Sequence, residues 1–346
     1  MRILLLADPI LTVPPRLYGG IERIVAELVI AFRLRGHEVH LIALRGSEVS
    51  AEQLHFWPAE DVSGRWATWR NLRFVRHICR QISPDVVHSF ARLAYLTGIL
   101  NRPGPKIMSY QRVPGLRQTG LAHRWSKGSI TFTGCSKYIQ NLGQKNGAKW
   151  EAVHNFVDLE KFTFQASTPP DAPLVFLSRL DEVKGPDTAI EIARRSNRRL
   201  ILAGNRAESG ADAQFFAEKV EPHIDGKQIT WIGPVNDDQK NDLLGQAAAM
   251  LVPIRWHEPF GIVFAEALAC GTPVISSPMG ALPEIIESGK NGFLVETVAE
   301  GVAAVENVET IGRANCRQTA ESKFERRVIS DQYLRLYERL ISEEAD

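Results

Sequence analysis

The stretch Pro253-Ile-Arg-Trp-His-Glu-Pro-Phe-Gly-Ile-Val-Phe-Ala-Glu-Ala-Leu-Ala-Cys-Gly-Thr-Pro-Val-Ile275 joins two short apolar runs through a loop and a helix. Met250–Pro253 reads as a buried strand, and Gly261–Ala269 as a helix that Gly271 closes before the next strand, Val274–Ser276. The exposed N–H groups of Gly261, Ile262 and Val263 make an anion site, because they lack intrahelical acceptors and the helix dipole adds to them. Glu266 sits about one turn further in, where a carboxylate can accept hydrogen bonds from vicinal hydroxyls. Glu258, in the loop, faces whatever projects beyond the anion. Phosphate, sugar hydroxyls and ribose hydroxyls on one ligand describe a sugar nucleotide.

Outward from this segment, the same alternation fills the chain. Leu174–Leu177, Leu200–Ala203 and Ile229–Ile232 read as further strands, with helical stretches at Asp187–Arg195 and Asp237–Ala248. Upstream of a polar, proline-containing break, Gln165-Ala-Ser-Thr-Pro-Pro-Asp-Ala-Pro173, the pattern has already run once. There Arg2–Ala7, Val39–Ala43, Asp85–Ser89, Ile107–Tyr110, Ile130–Phe132 and Glu151–Val153 are strand candidates, and Ile21, Ile24, Val25, Leu28, Val29 and Phe32 recur at helical spacing. Strands alternating with helices predict α/β architecture: two doubly wound, Rossmann-like parallel-sheet domains facing across a cleft. The expected organisation is 1–165, 166–325 and a C-terminal helix in 326–346 that can return to the first domain. In such sheets ligands bind beyond the carboxyl ends of the strands.

At 346 residues the chain suits two domains, and 44% apolar with 23% charged residues excludes wholesale disorder. Cys79, Cys135, Cys270 and Cys316 lie far apart with no CxxC pair, which fits a reducing, cytoplasmic compartment. No apolar run reaches the ~20 residues of a membrane span. The net charge of +1 hides an asymmetry: residues 1–165 carry 22 Lys/Arg against 12 Asp/Glu, the remainder 19 against 28. Absent motifs narrow the chemistry. No G-x-G-x-x-G follows the first strand, and no G-x-x-x-x-G-K-[ST] occurs, which disfavours dinucleotide and P-loop sites. No clustered Cys/His and no Asp-x-Asp pair suggests a metal.

The 253–275 stretch resembles the E-x7-E signature of the retaining group 1 (family four) glycosyltransferases of the GT-B fold. Gly19-Gly20-Ile21-Glu22 with Gly36-His37-Glu38-Val39 resembles that family's first loop and helix. Asn155-Phe156-Val157-Asp158 with Phe162 resembles its N-G-V-D…F turn, with Phe156 in place of glycine. Ser178-Arg179-Leu180…Lys184-Gly185 resembles its phosphate-binding segment, and Gly280…Pro283-Glu284-Ile285-Ile286…Gly289…Gly292 its final loop. The resemblance implies a nucleotide-diphosphate sugar donor in the second domain and a glycan, lipid-linked or small-molecule acceptor in the first. It implies hexosyl transfer with no metal and no cofactor. Glu258, Arg179 and Lys184 would carry catalysis, the two cations suiting a diphosphate whose charge grows as the glycosidic bond breaks. Gly20, Val235, Gly261, Ile262, Val263 and Glu266 would bind the donor. The strand where the family ends in a histidine runs here into Gln111-Arg112, which leaves Gln111 or a histidine such as His88 to assist. Other GT-B enzymes, a sugar-nucleotide epimerase or a glycosyl phosphorylase, and a non-catalytic sugar-nucleotide-binding protein are the alternatives.

Val62–Ser83 contains Arg65, Arg70, Arg73, Arg76 and Arg80 with no acid, interleaved with Trp66 and Trp69. A helix here would gather the guanidinium groups, and two readings stand: a solvated helix face with core aromatics, or peripheral attachment to the inner face of an anionic membrane. No nucleic acid partner is expected.

Overall fold

The computed structural model describes residues 1–16, 19–60 and 64–345. Two compact units divide the chain: Met1–Asn155 with Arg326–Asp346, and Phe156–Glu325. In the first, β1 (Arg2–Leu6), β2 (Glu38–Ala43), β3 (Gln53–Phe56), β4 (Val86–Ser89), β5 (Lys106–Tyr110), β6 (Ile130–Gly134) and β7 (Trp150–Ala152) form one sheet. Its order is β3-β2-β1-β4-β5-β6-β7, and every pairing is parallel. β1 has a neighbour on each edge and helices on each face, which is why Ile3–Leu6 is an unbroken apolar run with no exposure.

Among the described residues five helices connect these strands: α1 (Gly20–Leu34), α2 (Arg65–Ile82), α3 (Leu93–Leu96), α4 (Leu116–Trp125) and α5 (Lys137–Gln144). The expected helix in Val62–Ser83 is α2; Val62 and Ser63 lie outside the described residues. α1 crosses from β1 to β2 in one direction along the sheet, whereas α2, α3 and α4 cross in the other. With right-handed crossovers, these three lie on the face opposite α1.

The C-terminal helix (Arg326–Ala345) belongs to this first unit. Ile329, Leu336, Tyr337 and Leu340 are buried, each worth roughly 1.5–3 kcal/mol on burial. Tyr337 meets the ring of Phe32 on α1 edge-on at 5.6 Å. Charged pairs fix the helix along its length: Arg326 with Glu27, Arg35 with Asp331 at 2.6 Å, and Arg339 with Glu151. At the centre, His88 on β4 is fully buried; its Nδ1 lies 2.5 Å from the Tyr337 hydroxyl and its Nε2 2.6 Å from Ser109 Oγ. A neutral imidazole satisfies both contacts, accepting one hydrogen bond and donating the other.

In the second unit, β8 (Leu174–Leu177), β9 (Leu200–Ala203), β10 (Ile229–Trp231), β11 (Ala249–Val252), β12 (Val274–Ser276) and β13 (Gly292–Leu294) run parallel in the order β10-β9-β8-β11-β12-β13. Around them lie α6 (Pro186–Arg195), α7 (Gly210–Phe215), α8 (Asp237–Gln246), α9 (Ile262–Ala269), α10 (Leu282–Ile285), α11 (Val298–Glu306) and α12 (Arg313–Lys323). The unit starts at Phe156, ahead of the polar break at 165. Phe156, Val157 and Phe162 are buried within it, and Arg317 donates to the Phe162 carbonyl at 2.9 Å. Val157 N–H donates to the Phe324 carbonyl at 2.8 Å, so the two ends of the unit are bonded to each other. Among the described residues no helix is long and apolar enough to cross a membrane.

The His88 contacts carry a stability prediction. Tyr337→Phe leaves one imidazole nitrogen buried without a partner, which costs about 1–3 kcal/mol in urea unfolding near neutral pH. Burial also pushes the His88 imidazole down to about 3. The unfolded chain therefore binds a proton near pH 6.5 that the folded chain refuses, and stability falls as the pH drops from there toward 3. Urea midpoints measured between neutral pH and pH 5 should decline, and His88→Gln should flatten that slope.

Candidate active site

In the second sheet the strand order reverses between β8 and β11. The chain steps outward from β8 through β9 to β10, then returns to add β11 on the other side of β8. The loops leaving the carboxyl ends of β8 and β11 therefore diverge, and a crevice opens where they part. The segments singled out from sequence, Ser178–Gly185 and Pro253–Gly261, are these two loops.

Lys184 and Glu258 meet across them, with Nζ 2.7 Å from Oε2 and both side chains nearly buried. Trp256 Nε1 donates to the same carboxylate oxygen at 3.0 Å, and its ring lies 4.5 Å from the ammonium. The backbone enforces this proximity. Arg255 N–H donates to the Val183 carbonyl at 2.8 Å, and the Arg255 guanidinium grips Asp187 on α6 at 2.7 Å. A Cβ at Gly185 would fall 2.2 Å from the Pro253 carbonyl oxygen.

A third loop closes on Glu258 from β12. Ala281 N–H donates to the Glu258 carbonyl at 2.8 Å. Gly280 has φ +66°, and a Cβ there would lie 2.3 Å from the Glu258 carbonyl oxygen and 2.5 Å from its nitrogen. Gly261, at φ +83°, turns the chain into α9, where a Cβ would strike the Phe264 ring at 2.5 Å. Gly261, Ile262 and Val263 are half-buried, while Phe264 and Ala265 behind them are buried. The N-terminus of α9 is thus open beside Glu258.

Glu266, one turn along α9, pairs with Lys240 of α8 at 2.7 Å, and Lys240 also reaches Asp237 at 3.3 Å. Sequence reasoning missed Lys240. It belongs to a polar helix with no motif, and only the packing of α8 beside α9 brings it to Glu266. Trp256 and Asp181 were missed likewise, although both lie inside quoted segments. Arg179 is mostly exposed and its guanidinium rests on the buried Asp181 at 2.9 Å, not on the Lys184–Glu258 pair. Val235 is half-buried after β10, which is separated from β11 by β9 and β8. Its loop is tied inward by Gly204 N–H donating to the Gly233 carbonyl at 2.8 Å.

In the first unit, Gly20 is the half-buried first residue of α1. Gly19 before it is packed so that a Cβ would lie 2.7 Å from Pro15 Cβ. The strand order reverses here as well, between β1 and β4. Asp8 follows β1; burial raises its carboxyl, while Arg92 and Arg112 pull it down. Its Oδ1 is buried with no hydrogen-bond partner among the described residues. Gln111, at the end of β5, accepts from Asn155 Nδ2 at 2.7 Å. His88, fully buried with both ring nitrogens engaged, is a packing residue and is withdrawn from the chemistry.

Two family models match in succession along the chain: "Glycosyltransferase Family 4" over residues 18–161 and "Glycosyl transferases group 1" over residues 160–323. A D-inositol 3-phosphate glycosyltransferase of Mycobacterium marinum is 28% identical over 186 residues, which are 50% of this chain and 40% of that protein. An uncharacterized glycosyltransferase of Methanocaldococcus jannaschii is 32% identical over 169 residues, 45% of this chain and 42% of that one. The matched stretches thus span less than half the length of these curated relatives. Among solved structures, AviGT4, a glycosyltransferase involved in avilamycin A biosynthesis, superposes with a TM-score of 0.72 at 24% identity, covering 99% of this chain and 98% of that one. HepE of Anabaena, solved with UDP and glucose, has a TM-score of 0.71 at 16% identity, covering 97% and 99%. These likenesses establish the fold: two Rossmann-like α/β units of the GT-B class.

The loop packing yields a prediction that needs no ligand. Gly280→Ala, which drives a methyl into the Glu258 backbone at a positive φ, should destabilise the second unit by about 1–3 kcal/mol or more. Gly289→Ala has a similar φ of +82° with open space around it, and should cost less. Urea unfolding of the two variants compares collision with strain directly.

Proposed function

Because the chain belongs to the group 1 glycosyltransferases, we propose that it transfers a sugar from a nucleoside-diphosphate sugar to a hydroxyl of a glycan, lipid or small-molecule acceptor, with retention and without a metal ion. The observation that carries this reading is the Lys184–Glu258 contact beside the open N-terminus of α9, at the strand reversal of the second sheet. A diphosphate on the Gly261–Val263 N–H groups lies within the field of the helix dipole, and Lys184 supplies a nearby cation. Arg179 reaches the same anion by leaving Asp181. Glu266 accepts from the ribose hydroxyls, Lys240 holding its carboxylate, and Val235 lies beside the base. Glu258 faces the donor sugar. Gly20, the first residue of α1, is assigned to the donor by the family resemblance alone.

In the chemical step the anomeric carbon–phosphate oxygen bond breaks while a bond to the acceptor oxygen forms on the same face. The acceptor proton passes to the departing phosphate oxygen. Lys184, Arg179 and the helix N-terminus stabilise the charge that grows on that phosphate, which is where catalysis is gained. The acceptor hydroxyl is assigned to the first unit, at its own strand reversal, where one oxygen of the Asp8 carboxylate has no partner among the described residues. The four cysteines are buried and none is joined in a disulfide, which supports a reducing, cytoplasmic setting.

HepE was solved with UDP and UDP-glucose, so UDP-sugars are the first donors to try. Thermal shift against nucleoside diphosphates and nucleotide sugars reads binding, since a ligand stabilises by mass action. Glu266→Ala should weaken nucleoside diphosphate binding about tenfold to a hundredfold, the worth of one or more charged hydrogen bonds. Calorimetry with undiminished affinity would overturn that assignment. Lys184→Ala should cost about a hundredfold or more in turnover, as removal of a donor to developing charge does elsewhere. Asp8→Asn should lower transfer and leave nucleoside diphosphate affinity unchanged. Transfer should survive EDTA. Conversion of the donor with no acceptor present would instead indicate an epimerase, and binding with neither transfer nor hydrolysis a sensor.

A further inference from the structure

The outward face of α2 has no use in the chemistry above. Its inward face packs Ala67, Asn71, Val75, Ile78, Cys79 and Ile82. The opposite face presents Arg65, Arg70, Arg73, Arg76 and Arg80, all exposed, together with Trp66 at 77% and Trp69 at 47% exposure. Among the described residues none of these five arginines has an ion-pair partner.

This arrangement is unfavourable for the isolated helix. Arg65 stands at its N-terminus, where the dipole disfavours a cation, and no acid lies in the first turn. Arg70, Arg73, Arg76 and Arg80 follow at steps of three and four, so like charges are neighbours on the surface. The tryptophans are equally costly in water, and they form an ordered cluster. Trp66 and Trp69 meet edge-on at 5.7 Å, and the Arg73 guanidinium lies 4.7 Å over the Trp69 ring. A groove of about 680 Å³ runs along this face between Pro58 and Arg80, with no acid among the described residues that line it, and Glu60 lines the adjoining hollow beside Trp66 and Arg70.

The surroundings extend the same charge. From Gly64 to Trp150 the sequence holds fifteen Lys/Arg and one acid, Asp85, which accepts from the Arg2 backbone N–H at 2.6 Å. On the same side of the sheet, α4 exposes Leu116, Arg117, Arg124 and Trp125 and also lacks an acid.

We propose that the α2 face of the first unit docks on an anionic phospholipid bilayer. The guanidinium groups take the lipid phosphates, and the Trp66 and Trp69 rings enter the interfacial layer. Guanidinium and indole side by side, with an apolar body and a wet edge, match the headgroup region better than a soluble anion, which has no apolar layer to receive the rings. The inference does not rest on glycosyl transfer, since it is measured with no donor present.

The test is co-sedimentation of the full chain with vesicles of phosphatidylcholine alone and of phosphatidylcholine mixed with phosphatidylglycerol, at low and high salt. Binding should require phosphatidylglycerol and weaken with salt. Changing Arg70, Arg73 and Arg76 to Ser should weaken it by about a hundredfold, at about a factor of five or more per basic residue near the surface. Brominated lipid should quench wild-type tryptophan fluorescence, and quench it much less with Trp66 and Trp69 changed to Ser. Equal sedimentation with both vesicle types, sedimentation with neither, or undiminished binding by a folded arginine variant would overturn the proposal. So would binding of a single-stranded polynucleotide by a chain that ignores vesicles. Wild-type quenching and lipid dependence decide the matter even where a variant does not fold.

Discussion

Lys184 and Glu258 stand 74 positions apart, and their 2.7 Å contact organises one end of the second unit. Each charge is largely withdrawn from water, a cost that neither could bear without the other. The pair therefore holds the loops after β8 and β11 in register, and the loop after β12 reaches the same carboxylate residue through its backbone. Trp256 closes the arrangement from the solvent side. The contact is also exchangeable. In the proposed donor site an anion at the α9 N-terminus would offer Lys184 a second partner, and binding would then be coupled to loop geometry through one ammonium group.

The interior strands were legible because burial on both faces writes them as short continuous apolar runs. β8, β9 and β12 coincide with the sequence reading, and β1, β5 and β11 differ by a residue at their ends. The two strands that escaped, β3 and β13, are sheet edges. Gln53-Leu-His-Phe56 alternates and is partly exposed, and Gly292–Leu294 is three residues long, so neither carries a run. Within the site, the turn glycines and Glu258 could be read because backbone conformation and helix entry leave local marks. Lys240 on Glu266 and Asp181 under Arg179 could not, since those pairs depend on how helices and loops pack. The boundary at Asn155 was hidden for a related reason. A proline-rich tract suggests a linker, but Phe156 and Phe162, upstream of it, already bury their rings in the second unit.

The first unit has two chemically different sides. On one, α1 and the C-terminal helix bury aromatic and aliphatic groups over a sheet that supplies His88 and Ser109. On the other, α2 and α4 turn arginine and tryptophan outward. The positive excess of the first half of the sequence is therefore no uniform coat. Much of it is concentrated on one side of one sheet, away from the helix that completes the core.

That completing helix comes from residues 326–345, which follow the whole second unit in the chain. During synthesis the second unit has all its strands available while the first still lacks the cover over β4 and the partner of His88. A ribosome thus releases the parts in an order opposite to their numbering: the inserted unit can reach its native packing first, and the unit begun by β1 waits longest. Over that interval the side of its sheet later covered by Tyr337 is wet, and a chain halted in α12 would leave it so permanently. The early-made half of the molecule is the one with the most to gain from a chaperone.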